Sequence, residues 1–303
     1  MGVLLAGAGI HSVGAQPDFR EIATSAEMAD QRLYGAATEA GDPAAMYDLG
    51  RKFDEGLGVA TDEQQAFRWY SLAAARGHAE SMNRLGMLYA QGRGVPQDYV
   101  AAFAWYRHAV ARGSLTAVSN VATLYFYGLG VPQSYSKAAK LLEGAAQQGA
   151  ADAQNKLGAM YSDGLGLTQD QRKARDLFRQ SAEQGYPPAM VNLGRMYAEA
   201  IGGKRDEIRG FAWIQAAINI GVPASMTELA YFELGAVTAR LDRRQLARAQ
   251  QLASRLPATG SAAGYRAGSR RLSSHDSWRR DRSDDSRRAA ASKDPENSFN
   301  ILI

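Results

Sequence analysis

Six glycines recur every 36 residues: Gly41, Gly77, Gly113, Gly149, Gly185 and Gly221. A fixed period of this size marks stacked supersecondary units, none of which can bury its apolar face alone. The period constrains the fold more than the length of 303 residues or the 46% hydrophobic composition. An array lengthens along one axis without enlarging a single core. Ala, Leu, Gly and Tyr are abundant and long β-branched runs are scarce, which favours helices.

The columns between the ruler glycines define the unit. Eight residues on stand Leu49, Leu85, Val121, Leu157, Leu193 and Leu229, each followed by Gly or Ala. Four residues further come Phe53, Tyr89, Tyr125, Tyr161 and Tyr197, with Glu233 breaking the column in the sixth copy. This i, i+4 spacing places aliphatic and aromatic side chains on one helical face. Ala45, Ser81, Ala117, Ala153, Ala189 and Ser225 form an all-small column on the same helix, as close packing requires. Pro43, Pro187 and Pro223 sit near its first turn, where proline loses no needed N–H bond.

The first helix ends at Gly-x-Gly pairs: Gly56/Gly58, Gly92/Gly94, Gly128/Gly130 and Gly164/Gly166. Asp62, Asp98, Ser134, Asp170, Asp206 and Asp242 follow, all good N-cap types, so a second helix is expected to start at each. Its apolar face carries Ala66, Ala102, Ala138, Ala174 and Gly210. Three positions later come Trp69-Tyr70, Trp105-Tyr106, Leu141-Leu142, Leu177-Phe178 and Trp213-Ile214. The next ruler glycine stops it. Each unit is therefore helix, glycine turn, helix.

At these residues the sequence resembles the Sel1-like repeat family, a branch of the tetratricopeptide-like helical solenoids. The pattern is Ala-x-x-x-Leu-Gly-x-x-Tyr, then Gly-x-Gly-Val, Asp, Ala and Trp-Tyr. Ser81 to Tyr89, Gly92 to Pro96, Asp98, and Ala102 to Tyr106 carry it most fully. The resemblance implies an all-α fold: a right-handed α-α superhelix of helix-turn-helix repeats that adapts or scaffolds protein complexes. Many bacterial members are exported and act in envelope signalling, secretion or host contact. A cysteine-rich branch is linked to binding or hydrolysing β-lactams and cell-wall fragments; this chain has no cysteine, so that activity does not carry over.

The expected organisation is a signal-like segment over 1–15, a capping half-repeat over 16–40, and repeats over 41–240, the sixth degenerate. A capping helix over 241–257 and a disordered Arg/Ser-rich tail over 258–303 complete it. Val3 to Ile10 is short and apolar, and Val13-Gly14-Ala15 resembles a cleavage site before Gln16. A basic n-region is missing, so the segment reads either as an export signal or as the frayed start of a soluble protein. No stretch approaches 18 consecutive apolar residues, so no transmembrane segment is expected. The tail holds nine Lys/Arg against six Asp/Glu, leaving the first 257 residues near +1 of the total +4. That balance gives no reason to expect a nucleic-acid partner.

No catalytic residue, cofactor or metal site is expected. The absence of cysteine removes disulfides, Cys-based zinc sites and Cys nucleophiles. The histidines His11, His78, His108 and His275 are dispersed, and Gly-x-Gly-Val between helices lacks the strand and Lys-Ser/Thr of a phosphate loop. What remains is the first-helix face expected to line the concave side. One variable column holds Tyr47, Asn83, Ser119, Asn155, Val191 and Thr227; another, four later, holds Arg51, Met87, Thr123, Ala159, Arg195 and Tyr231. Tyr47, Arg51, Asn83, Met87, Asn155, Arg195 and Tyr231 are the candidate partner-binding residues. They suit an extended peptide or partner helix laid in the groove. The leading reading is a non-catalytic protein–protein adaptor in a bacterial envelope, periplasmic or secreted. Cell-wall fragment or β-lactam chemistry and a cytoplasmic regulatory role are the alternatives.

Overall fold

A computed structural model describes residues 39–256 together with Gly35 and Ala37. The signal-like segment, most of the expected half-repeat and the tail lie outside the described residues. The chain divides into two compact units, Met1–Gln97 and Asp98–Ile303. The first holds α1 (Pro43–Glu55), α2 (Glu63–Ala75) and α3 (Ala79–Gln91). The second begins with α4 (Tyr99–Ala111), α5 (Leu115–Tyr127), α6 (Tyr135–Gln147), α7 (Ala151–Asp163) and α8 (Gln171–Glu183). It continues with α9 (Pro187–Ala198), α10 (Glu207–Ile220), α11 (Ala224–Thr238) and α12 (Arg243–Ala253). The described residues contain no strand, and the fold class is all-α.

Capping chemistry sets the boundaries. Asp62, Asp98, Ser134, Asp170, Asp206 and Asp242 each accept a hydrogen bond from the first turn of the following helix. These bonds satisfy N–H groups that a helix start leaves without partners. The backbone N–H of the cap also ties the hairpin shut. Ser134, Asp170 and Asp206 donate to the carbonyls of Tyr125, Tyr161 and Tyr197 at 2.7, 2.9 and 2.9 Å. The aromatic column therefore marks the turn of the hairpin as well as its core. Just before the cap, Gln97, Gln133 and Gln169 fold back to donate to the carbonyls of Ala90, Phe126 and Ser162. Pro43 and Pro187 open α1 and α9, whereas Pro223 serves as the N-cap of α11.

The two glycines of each Gly-x-Gly pair have different tasks. The first ends the helix in the left-handed region, at φ 68° for Gly56 and 71° for Gly128. The second also has positive φ, and from Gly94 onward it lies against the preceding repeat. A Cβ on Gly94 would stand 2.6 Å from the carbonyl oxygen of Glu63, and one on Gly130 would stand 2.6 Å from the carbonyl carbon of Tyr99. Gly166 and Gly202 meet the backbone of Tyr135 and Gln171 in the same way. Each of these four turns is thus stacked on the start of the second helix one repeat earlier. The fifth unit keeps this second glycine but fills the first position with Ala200, at φ 59°.

Within a hairpin, the glycine next to the core leucine makes room for the large residue of the second helix. A Cβ on Gly50 would lie 2.5 Å from the Tyr70 ring, and one on Gly194 would lie 2.5 Å from Ile214. Met46, Leu49, Trp69 and Tyr70 fill the core of the first unit, all fully buried. One continuous core in the second runs from Ala122 to Ala249 through Leu142, Met160, Phe178, Leu193 and Ile214. Burying each large side chain stabilises by roughly 1.5–3 kcal/mol. The Trp-Tyr pairs are core residues except at Trp105, which is half-buried and meets His108 edge-on at 6.0 Å. At the C-terminal end, α10 carries both α11 and α12. Ala249 and Ala253 are the buried residues of α12, and a capping box of Asp242 and Gln245 starts it.

Candidate partner-binding face

The two variable columns of the first helices do not form one solvated stripe. The first column is largely internal. Asn83 is 2% exposed and Asn155 1%, and Ser119 and Val191 are also buried. Asn155 accepts a hydrogen bond from Asn192 at 3.0 Å, and Asn83 donates to Glu80 at 3.4 Å. Asn155 and Asn192 thus pair between α7 and α9, whereas Asn83 bonds within α3; the burial of Asn83 and Asn155 corrects their reading as non-core positions. Tyr47, half-buried, packs on Tyr70 at 5.8 Å and on His78 at 4.8 Å. The second column reaches the surface except at Ala159, which is buried: Arg51, Met87, Thr123 and Arg195 are half-buried, and Tyr231 is 57% exposed beside the more exposed Phe232.

Sequence reasoning missed the column between them. Seven residues after each ruler glycine stand Asp48, Arg84, Asn120, Lys156, Asn192 and Glu228. All six are polar, a signal that was available in the sequence. Where the contacts lie within one unit of the fold, this column reaches the first helix of the preceding repeat. Arg84 meets Glu55 at 3.5 Å and Asp54 at 3.8 Å, Lys156 donates to Thr123 Oγ1 at 3.0 Å, and Asn192 meets Asn155. The face of the first helices is therefore built by the second column together with this one.

In the first unit the face is a charge network. Asp54, whose side chain is nearly buried, accepts from Tyr70 Oη at 3.1 Å and from Arg93 at 2.7 Å. Arg93 also pairs with Glu63 at 2.8 Å. Arg51 is held by Glu55 at 3.1 Å, one turn along α1. Burial and the Asp54 carboxylate push the Tyr70 phenol far above its usual range, so it remains a donor.

The second unit carries two further clusters. Glu233 occupies the broken aromatic position on α11. Burial pushes its carboxyl up; Arg195 opposes this, the Glu199 carboxylate adds to it, and Arg240 opposes it again. Arg240 pairs with Glu199 at 2.5 Å. Elsewhere cations cover the aromatic column: Lys137 lies over Tyr125, Lys173 over Tyr161, and Arg175 and Arg209 over Tyr197. Such pairs add about 0.5–1 kcal/mol each at exposed sites.

The remaining sequence features are structural. His78 caps α3, its Nδ1 accepting from the Ser81 N–H at 3.2 Å. His108 lies on the exposed side of α4. The Gly-x-Gly pairs are helix caps and stacking contacts. Among the described residues, no three His, Asp or Glu side chains are grouped as metal ligands, and no helix is long and apolar enough to cross a membrane.

A model of the Sel1 repeat matches residues 43–78, 79–114, 116–149, 151–186 and 187–222. Among solved structures, the chain is similar to a protective antigen present in uropathogenic Escherichia coli strains and displaying an SLR fold. The identity is 27% and the TM-score 0.63, covering 81% of this chain and 51% of that one. It is also similar to a Sel1 repeat protein from Oxalobacter formigenes, with 27% identity and a TM-score of 0.59, over 77% of this chain and 95% of that one. The chain spans about half the length of the first of these relatives. Proteins of curated function give no match.

Proposed function

Because the chain belongs to the Sel1 repeat family, whose repeats generally mediate protein interactions, we propose that it is a non-catalytic adaptor. It holds a peptide or helix of a partner protein against the face of its first helices. The observation that carries this reading is the half-buried polar side chains on that face, Arg51 and Arg84 in the first unit and Thr123, Lys156 and Arg195 in the second. Half-buried cations over apolar surface suit a partner that supplies both shape and charge.

The partner is identified by affinity capture from the native organism and mass spectrometry, then purified for direct binding. The double variant Arg51→Ala/Arg195→Ala is expected to weaken that binding by about tenfold or more, in line with two contacts near 1 kcal/mol each. Helicity and thermal melting should change little, because the Arg51–Glu55 pair is a partly exposed i, i+4 bridge. Binding equal to that of the unmodified protein would count against this face.

We further propose a location in the bacterial envelope, in signalling, secretion or host contact. The apolar run Val3 to Ile10 ahead of Val13-Gly14-Ala15 supports export. So does the similarity to an antigen of uropathogenic strains. N-terminal sequencing of the mature protein is expected to begin at or near Gln16, and a mature protein starting at Met1 would sink the export reading.

A further inference from the structure

On α11, two columns that are buried in the earlier repeats are open. Its small residue is Ser225, exposed, where Ala45, Ser81, Ala117, Ala153 and Ala189 are all buried. Phe232, eleven residues after its ruler glycine, is 72% exposed, where Leu88, Leu124, Met160 and Met196 are buried at the same step. By register α12 is the second helix of this repeat, yet it packs on α10 instead of closing over α11. Glu228 and Glu233 are the only charges on α11, and a helix this apolar on all sides is ordinarily covered on all sides.

The open residues form one face. Ser225, Glu228, Tyr231, Phe232, Gly235 and Ala239 are exposed, at spacings that keep them on one line along the helix. Large and small residues lie side by side on it. Tyr231 and Phe232 stand out from its middle, and at Gly235, about one turn on, an added Cβ would meet no atom within 4 Å. Inside the repeats, the space at a first-helix glycine is filled by a neighbour: Gly50 by Tyr70, Gly158 by Phe178 and Gly194 by Ile214. On α11 both halves of such a contact, the knob and the notch, share one exposed face. The ends of the face differ in charge. Glu228 lies toward the start, with no cation within ion-pair distance among the described residues. Arg240, Arg243 and Arg244 are exposed beyond the other end. Arg240 pairs with Glu199, and Asp242 is engaged as the N-cap of α12. Among the described residues, Arg243 and Arg244 have no carboxylate within ion-pair distance.

We propose that α11 is a self-association face: two copies of the chain pair their α11 helices antiparallel about a two-fold axis, each placing Phe232 in the space at Gly235 of the second copy. A two-fold contact requires a surface complementary to itself, and a knob beside a notch supplies that. With Phe232 opposite Gly235, Glu228 falls opposite Ala239, close to the arginines at the far end of the second copy's helix. A parallel pairing would set Glu228 against Glu228 and leave both notches empty. With roughly 100–150 Å² of open surface each, the aromatics of two copies contribute about 400–600 Å², below the roughly 1,200 Å² where stable interfaces begin. The dimer is therefore reversible, with a dissociation constant on the order of 100 µM. The inference goes beyond the adaptor reading and does not rest on it.

The test is sedimentation velocity of the full chain alone, from about 10 µM to about 1 mM, over which monomer is expected to give way to dimer. Phe232→Ser, at an exposed site where substitution changes the fold little, should weaken the dimer at least tenfold. Gly235→Leu separates a built contact from general stickiness. It raises helix propensity and enlarges the apolar face, so unspecific association would strengthen, whereas filling the notch should weaken the dimer at least tenfold. The chain has no cysteine, so Phe232→Cys and Gly235→Cys chains, mixed and treated with a short bis-maleimide, should cross-link to each other faster than either to itself. A chain monomeric across that range, a dimer indifferent to Phe232→Ser, or a dimer tightened by Gly235→Leu would each overturn the inference. So would a monomer whose Phe232 ring, followed by NMR, is screened from a paramagnetic solute, because a segment of the same chain would then be the occupant. Should Gly235→Leu fail to fold, the cysteine pair decides. Because no partner protein is present, the adaptor reading stands or falls separately.

Discussion

Gly130→Ala is expected to destabilise the second unit by about 2–5 kcal/mol, one of the largest effects of any single methyl group in the chain. Two costs add. The residue sits at φ 67°, in the left-handed region, where a residue with a Cβ is less stable by about 1–2 kcal/mol. The added carbon also meets backbone that a rotamer change cannot move: the carbonyl carbon and oxygen of Tyr99 at 2.6 and 2.7 Å, and the N of Val100 at 2.8 Å. Forcing atoms into such a contact costs a further 1–3 kcal/mol or so. Gly58→Ala is the control. It has φ 77° with no atom within 4 Å of an added Cβ, so only the conformational cost applies. Urea denaturation of both variants checks the argument, and equal losses would show that the close approach contributes nothing.

The two glycines also show where the sequence was legible and where it was not. The period of 36, the N-caps and the helix-ending glycines are local, so each can be read from a few neighbouring residues. Asp62, Asp98, Ser134, Asp170, Asp206 and Asp242 all cap as their chemistry requires. The need for Gly130 is not local, because its constraint is Tyr99, 31 residues earlier, across the stacking contact. Ala200 illustrates the difference: the first glycine of the fifth pair is replaced, at the expense of a strained φ, while Gly202 is kept.

Of the two candidate columns on the first helices, one turns inward and the other reaches the surface. Helical periodicity places Asn83 and Asn155 one residue from Arg84 and Lys156, about 100° around the helix. That rotation separates a side chain buried between helices from one that reaches along the face. Only the packing of successive first helices shows which side of the stripe turns inward. The network of Asp54, Arg84 and Arg93 was equally hidden, since it joins α1, α3 and the turn after α3 through residues up to 39 apart. Variability between units pointed to the first helices; the uniformly polar column marks the side chains that reach along them.

Packing inside one hairpin leads to an equally large expected effect. Phe178→Ala should cost about 3–5 kcal/mol, the usual loss for emptying a buried aromatic site, since Phe178 is 2% exposed within the core of the second unit. Its space exists because residue 158 is glycine. A Cβ there would approach the Phe178 ring at 3.0 Å and the Ala174 carbonyl oxygen at 3.3 Å, so Gly158→Ala alone should cost roughly 1–3 kcal/mol by overpacking. The third unit has already made a compatible exchange: Ala122 stands in the glycine column and Leu142 in the aromatic one, both buried. Copying that pair onto the fourth unit as Gly158→Ala/Phe178→Leu should therefore be less destabilising than the sum of its two single changes. A favourable coupling of about 1 kcal/mol in a double-mutant cycle is the expected size for residues in contact. Simple additivity would mean that the small-large pairing of these columns does not set how closely the two helices of a repeat approach.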